Sequence, residues 1–284
     1  MLNAQGIWAC FLFEIKKLLH SSRFYATLFF VCFVIWDHIA PISTWIASID
    51  SEISVWVYPF ISSSVFLQMV IIGGIIFLFS DSPFFSETQP LLIVRIGRIQ
   101  WYIAQLLYIY FAALIYLIIV AAISTILFFP NITTEFQWGK IIMALSSGEA
   151  DIENVMSFSS YITRQLTPIK ATCLSLTLSW MAAVSIAEIQ FFFNLNERKQ
   201  TGSVVAGLLV LQDLFSLMIL SESSEKYSIV TLTRLSVLLR NETMFGIDAV
   251  IYSLVALFVL IQVFAVLCLM RIRDTEIYLT THAA

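Results

Sequence analysis

Hydrophobic positions in this chain fall into unbroken runs too long for the core of a soluble domain. Residues 55–79, 101–129 and 249–270 contain no charged side chain. A helix rises 1.5 Å per residue and about 20 residues cross the hydrocarbon of a bilayer, so each run predicts a transmembrane helix. Three further runs qualify if an ionisable site is tolerated in each: 24–48 with Asp37 and His38, 171–193 with Glu188, and 202–220 with Asp213. Six spans result, and the fifth is the shortest, short enough to be broken or re-entrant. Polar stretches at 130–170 and 221–248 are too long to be turns. Within the second, Leu232, Leu235, Leu238 and Leu239 share one helical face beside Arg234 and Arg240, which suits a segment lying on the outer leaflet or re-entering it.

Before the first span, Trp8, Phe11, Ile15 and Leu18 recur at helical spacing while Glu14 and Lys17 lie on another face. This pattern predicts an amphipathic helix within residues 1–23 that lies in the membrane interface, with a simple extension of span one as the alternative. Trp56 and Tyr58 flank one span and Trp101 and Tyr102 another, as interface anchors do.

Composition supports the same solvent. Only 12% of the 284 residues are charged and 60% are hydrophobic, with a mean hydropathy of +0.90. An ordinary soluble domain carries about 25% charged residues. The deficit excludes a disordered chain, a basic nucleic-acid-binding module and most soluble enzymes, leaving an all-α integral membrane protein with lipid as its surroundings. Cys10, Cys32, Cys173 and Cys268 all lie in apolar stretches, with no metal-ligand or disulfide spacing, and read as packing residues. The first basic residues, Lys16 and Lys17, follow an apolar stretch instead of preceding it, so no cleaved signal peptide is expected.

Charge distribution then predicts orientation, because Lys and Arg concentrate in cytoplasmic loops. With both termini inside, Lys16, Lys17, Arg23, Arg95, Arg98, Arg198, Lys199, Arg271 and Arg273 are cytoplasmic, and Lys140, Arg164, Lys170, Lys226, Arg234 and Arg240 are outside. The outer face also collects acids, among them Asp50, Glu52, Glu149, Asp151 and Glu153. Asn131 and Asn241 each open an N-x-T triplet, a weak signal of glycosylation.

The cytoplasmic loop between spans two and three contains Ser82, Pro83, Phe84, Phe85, Ser86, Glu87 and Pro90, followed by Arg95 and Arg98. Ser82 can cap a helix whose first residue is Pro83, and Pro90 disfavours its continuation. A short helix carrying Phe84 and Phe85 requires either lipid or a protein groove.

Catalytic motifs are missing. His20, His38 and His282 are far apart, and the chain has no H-E-x-x-H, G-x-S-x-G or C-x-x-C and no G-x-x-x-x-G-K-[ST] phosphate loop. If ATP drives this protein, another polypeptide binds it. The remaining chemistry lies in ionisable residues within spans, each of which costs about 2.5–3.5 kcal/mol on insertion scales. Counted from the cytoplasmic ends, Asp37 is about 20 Å deep, Asp213 about 16 Å and Glu188 about 9 Å. Asp213, next to Gln212, is a candidate to face a polar pathway. Asp37 and His38 either line it or mark an early end of span one, and Glu188 either lines it, reaches the interface or pairs with Arg198 or Lys199. Span four carries Ser175, Ser179, Ala183 and Ala187 at every fourth position, a spacing that lets helices approach closely.

Taken together, the amphipathic start at Phe13, Glu14, Lys16 and Lys17, the Ser21, Ser22, Arg23, Tyr25 entry to span one and the 81–98 loop resemble the permease subunit of a type 2 ABC exporter. The resemblance implies six transmembrane helices, N-in/C-in, with an N-terminal interfacial helix and a coupling helix between spans two and three. It implies that Pro83, Phe84, Phe85, Ser86 and Glu87 dock on an ATP-binding subunit, with Arg95 and Arg98 near the membrane edge. It further implies a second permease subunit, ATP and magnesium held by the partner and no cofactor in this chain, and a place in the bacterial cytoplasmic membrane. Peptides or amphipathic compounds are the expected cargo. An ion-coupled carrier or channel using Asp37, Glu188 or Asp213 is the competing expectation.

Overall fold

A computed structural model describes residues 4–82, 89–148, 156–195, 201–218 and 228–274. They form an all-α, multi-pass membrane architecture. Four helices are long and apolar enough to cross a bilayer: α2 (Ser22–Ser48), α6 (Arg98–Ile126), α9 (Pro168–Asn194) and α12 (Ala249–Asp274). Two more are apolar but shorter, α4 (Val65–Leu78) and α10 (Thr201–Met218).

The run at 55–79 does not form one helix. A four-residue helix, α3 (Tyr58–Ile61), stops at Ser62, and α4 starts after Ser64. Three successive serines supply weak helix formers whose hydroxyls compete for backbone groups, so the run breaks there despite being free of charge. α2 and α4 run antiparallel: Arg23 meets Asp81 at one end, and His38 stacks on Phe66 at the other, ring centroids 4.9 Å apart. Gly74 allows a close approach between α4 and α6. A Cβ there would overlap the Tyr116 hydroxyl, which instead donates 3.0 Å to the Ile71 carbonyl.

α9 is the hub. In its most apolar window 72% of residues are buried inside the chain, against 22–39% in the other three long helices, so its neighbours take the place of lipid. Ser175, Ser179, Ala183 and Ala187 are all fully buried against those neighbours. Cys173, by contrast, is exposed, so one of the four cysteines faces outward and does not pack.

The first helix, α1 (Ala4–Leu19), packs along α6, with Phe11 and Phe111 edge to face at 5.3 Å. Its buried stripe is Cys10, Phe11, Glu14 and Leu18, so Glu14 belongs to the packed face and not to a polar one. Trp8, Leu12 and Phe13 point outward, and the basic residues sit at its end. Trp101 and Tyr102, expected at an interface, are interior, and the Tyr102 hydroxyl donates 2.7 Å to the Ala265 carbonyl.

At the end of the bundle opposite Arg23, the polar stretches fold into a cap. β1 (Ile53–Ser54) pairs in parallel with β2 (Ile132–Thr133). α7 (Gly139–Ser147) and α8 (Ser160–Gln165) follow. Trp56, expected as a lipid anchor, and Trp138 fasten this cap: Trp56 Nε1 donates to the Glu135 carbonyl at 2.8 Å and Trp138 Nε1 to that of Leu166 at 3.0 Å. Tyr58 is likewise interior. After α11 (Leu235–Asn241), a hairpin joins β3 (Thr243–Met244) to β4 (Ile247–Asp248). Its two-residue turn, Phe245 and Gly246, has positive φ at both positions, which matches the right-handed twist of the strands.

Candidate functional site

One end of the bundle is basic. Arg23 forms an ion pair with Asp81 and donates to Ser80 Oγ at 3.2 Å, tying the start of α2 to the exit of α4. A short helix, α5 (Gln89–Ile96), then leads through Gly97, at φ 90°, into α6. Pro90 lies in the first turn of α5, and the helix expected from Pro83 falls outside the described residues. At a first-turn position proline has no bonded N–H to lose and its φ is already helical. Val94 is 80% exposed and Arg95 is exposed beside it. A cleft of about 420 Å³ lies between Arg98 with Gly97 at the head of α6 and Arg273 near the end of α12. The docking candidates Pro83, Phe84, Phe85, Ser86 and Glu87 lie outside the described residues, as do Arg198, Lys199, Glu149, Asp151 and Glu153.

Inside the bundle, Asp213 of α10 is fully buried and surrounded by donors from residues 228–234. Ser228 Oγ donates to Asp213 Oδ1 at 2.7 Å, the Thr231 hydroxyl donates to the same oxygen, and Arg234 Nη2 lies 3.5 Å from Oδ2. Arg234 is itself only 3% exposed and also donates to Thr231 Oγ1 at 2.9 Å. Gln68 of α4 extends the network, donating from Nε2 to Thr233 Oγ1 at 2.8 Å and to Ser179 Oγ of α9 at 3.2 Å. Ser236 bonds the Ser63 region at 3.4–3.5 Å. The segment is thus folded back into the bundle between α4, α9, α10 and α12.

Two expectations are corrected here. Arg234 is no solvated outer residue, because a buried carboxylate demands a cation and Arg234 supplies it. The leucines Leu232, Leu235, Leu238 and Leu239 are all buried, yet they do not share one helix: a 3-10 turn at Thr231–Thr233 and an extended Arg234 precede α11. Asp213, a pathway candidate, is enclosed by these groups and not open to solvent among the described residues.

Glu188 is different. It is 1% exposed, so it neither reaches the interface nor lies open to water. Neither carboxylate oxygen has a hydrogen-bond partner among the described residues. Tyr110, Tyr102 and Cys268, from α6 and α12, surround it, and the Tyr110 hydroxyl approaches without completing a bond of ordinary geometry. Nine residues separate Ser179 from Glu188, and at about 100° per residue they point to opposite sides of α9. The two acids therefore occupy separate surroundings.

Asp37 lies elsewhere again. α2 continues through Pro41 to Ser48, so the helix itself does not end at Asp37. Its side chain is 70% exposed on the outside of the bundle, 4.0 Å from His38 Nδ1. Within one chain, Asp37 faces outward while Asp213 and Glu188 are enclosed. Among the described residues no group of three or more His, Cys, Asp or Glu is placed to hold a metal ion.

No family model, curated protein or solved structure matches this chain.

Proposed function

We propose that this chain is the permease subunit of an ATP-driven exporter of the type 2 ABC class in a bacterial cytoplasmic membrane, with ATP and magnesium bound by a separate subunit. In this reading α4 and α10 complete a set of six spans, both termini are cytoplasmic, and two permease subunits enclose the pathway. The observation that carries it is the 81–98 segment. Its start is clamped to the bundle by Arg23, its helix α5 displays Val94 and Arg95 outward at the basic end, and its chain passes through Gly97 into the 29-residue α6. A surface helix with an exposed apolar residue beside a cation suits a protein groove, and a lever into a long helix suits transmission of force. Peptides or amphipathic compounds are the proposed cargo, and the acids at the cap end would favour release of a cationic one.

Gentle purification with identification of the accompanying chains tests the reading. A stoichiometric subunit with a phosphate-loop motif is the expected result, and a chain that purifies without one contradicts it. The observation favouring the second reading, an ion-coupled carrier, is the enclosed carboxylate of Glu188. That reading requires transport to collapse with ionophores and in Glu188→Gln, and to need no ATPase.

A further inference from the structure

The exit of α4 and the turn between α9 and α10 share one side chain. Asn194, at the last residue of α9 and 6% exposed, donates from Nδ2 to the Ser82 carbonyl at 2.7 Å and to the Ser80 carbonyl at 3.5 Å. Its Oδ1 accepts from the backbone N–H of Gly202 at 2.8 Å. One amide thereby joins the residues just before position 83 to the first turn of α10, where an N–H would otherwise lack an intrahelical partner. Gln190, one turn earlier, repeats the connection: Nε2 donates to the Ile76 carbonyl at 3.0 Å and to Ser203 Oγ at 2.8 Å. Gly202 is required by this contact, since a Cβ there would overlap the Gln190 carbonyl oxygen and Asn194 Oδ1. Thr201 Oγ1 closes the turn on the Phe193 carbonyl at 3.0 Å.

We propose that Asn194 is the positioning residue through which displacement of the 80–82 segment is transmitted to α10, and through α10 to the Asp213 network. Bonds from one planar amide to the exit of α4 and to α10 fix both distances at once, and the Gln190 pair prevents α4 from sliding past α9 without carrying α10. Arg23 sets the resting position by holding Ser80 and Asp81. Only the source of the displacement rests on the permease reading; the joint rests on these bonds.

Hydrogen exchange measured by mass spectrometry on the purified native assembly tests the proposal. Addition of ATP is expected to change exchange over residues 201–206 by about threefold or more, the scale of one net hydrogen bond. Asn194→Asp keeps the acceptor for Gly202 but loses the donor to Ser80 and Ser82, so it should cut that change by at least half while residues 89–96 still respond, the Gln190 bonds carrying the rest. An unchanged response in Asn194→Asp, or a native assembly in which 89–96 responds and 201–206 does not, overturns the joint. If no ATP-binding subunit accompanies the chain, the permease reading fails separately. The joint is then judged on the chain alone: Arg23→Ala should speed exchange at 201–206 in the native background and by at most half as much in Asn194→Asp, and equal effects in both overturn it.

Discussion

Asp213 and Glu188 are buried to the same degree on two helices packed against each other, yet their surroundings are opposite. Around Asp213 a folded-back segment brings two hydroxyls and a guanidinium, and a glutamine ties the assembly to α4 and α9. Around Glu188 stand two tyrosines and a cysteine, and among the described residues no donor completes a bond. A charge with its partners in place is part of the architecture. Glu188 has none among the described residues, and the ion-coupled reading rests on that difference.

The largest expected effect breaks the first half of this contrast. Arg234→Met leaves Asp213 buried without its cation and should lower stability by about 3–5 kcal/mol, read as a fall in the thermal unfolding temperature of the detergent-purified protein. A loss below about 1 kcal/mol would mean that Asp213 is held by its hydroxyls alone. Gln68→Leu comes next, at about 1–3 kcal/mol, because Ser179 and Thr233 lose a common buried partner. The same unfolding measurement checks it, with a greater loss than for an exposed glutamine such as Gln137. Glu188→Gln sharpens the second half: with no bond to lose, the isosteric amide should change stability by less than about 1 kcal/mol in either direction. A larger fall would reveal a bonded partner. Asp37→Asn, on the exterior of α2, should stay within about 0.5 kcal/mol of the native protein.

Helices were legible where burial is one-dimensional. α6 and α12 follow from uninterrupted apolar runs, their ends within a few residues of 101–129 and 249–270, whereas the third such run, 55–79, breaks at its serines. What escaped sequence reading is contact between distant segments. Arg234 sits in a polar stretch that charge counting assigns to the outer face, and nothing near it in sequence announces Asp213, 21 positions earlier, as its partner. The nearest signal was local: Ser228, Thr231 and Thr233 crowd hydroxyls into a leucine-rich run, a pattern that suits a kinked, internally bonded segment better than a surface helix. Trp56 and Tyr58 illustrate the same limit, since an aromatic residue at a span end looks identical whether it meets lipid headgroups or the underside of a cap. Asn194 and Gly202 carried no signal at all, because a single amide acquires meaning only when three chain ends converge on it.

The comparison between the two acids is tested most directly by a double-mutant cycle on thermal unfolding, combining Asp213→Asn, Arg234→Met and Glu188→Gln in all pairs. The account predicts a coupling of about 2 kcal/mol or more between Asp213 and Arg234, and additivity within about 0.5 kcal/mol for Glu188 with either. Additive losses at Asp213 and Arg234, or strong coupling of either to Glu188, would contradict it.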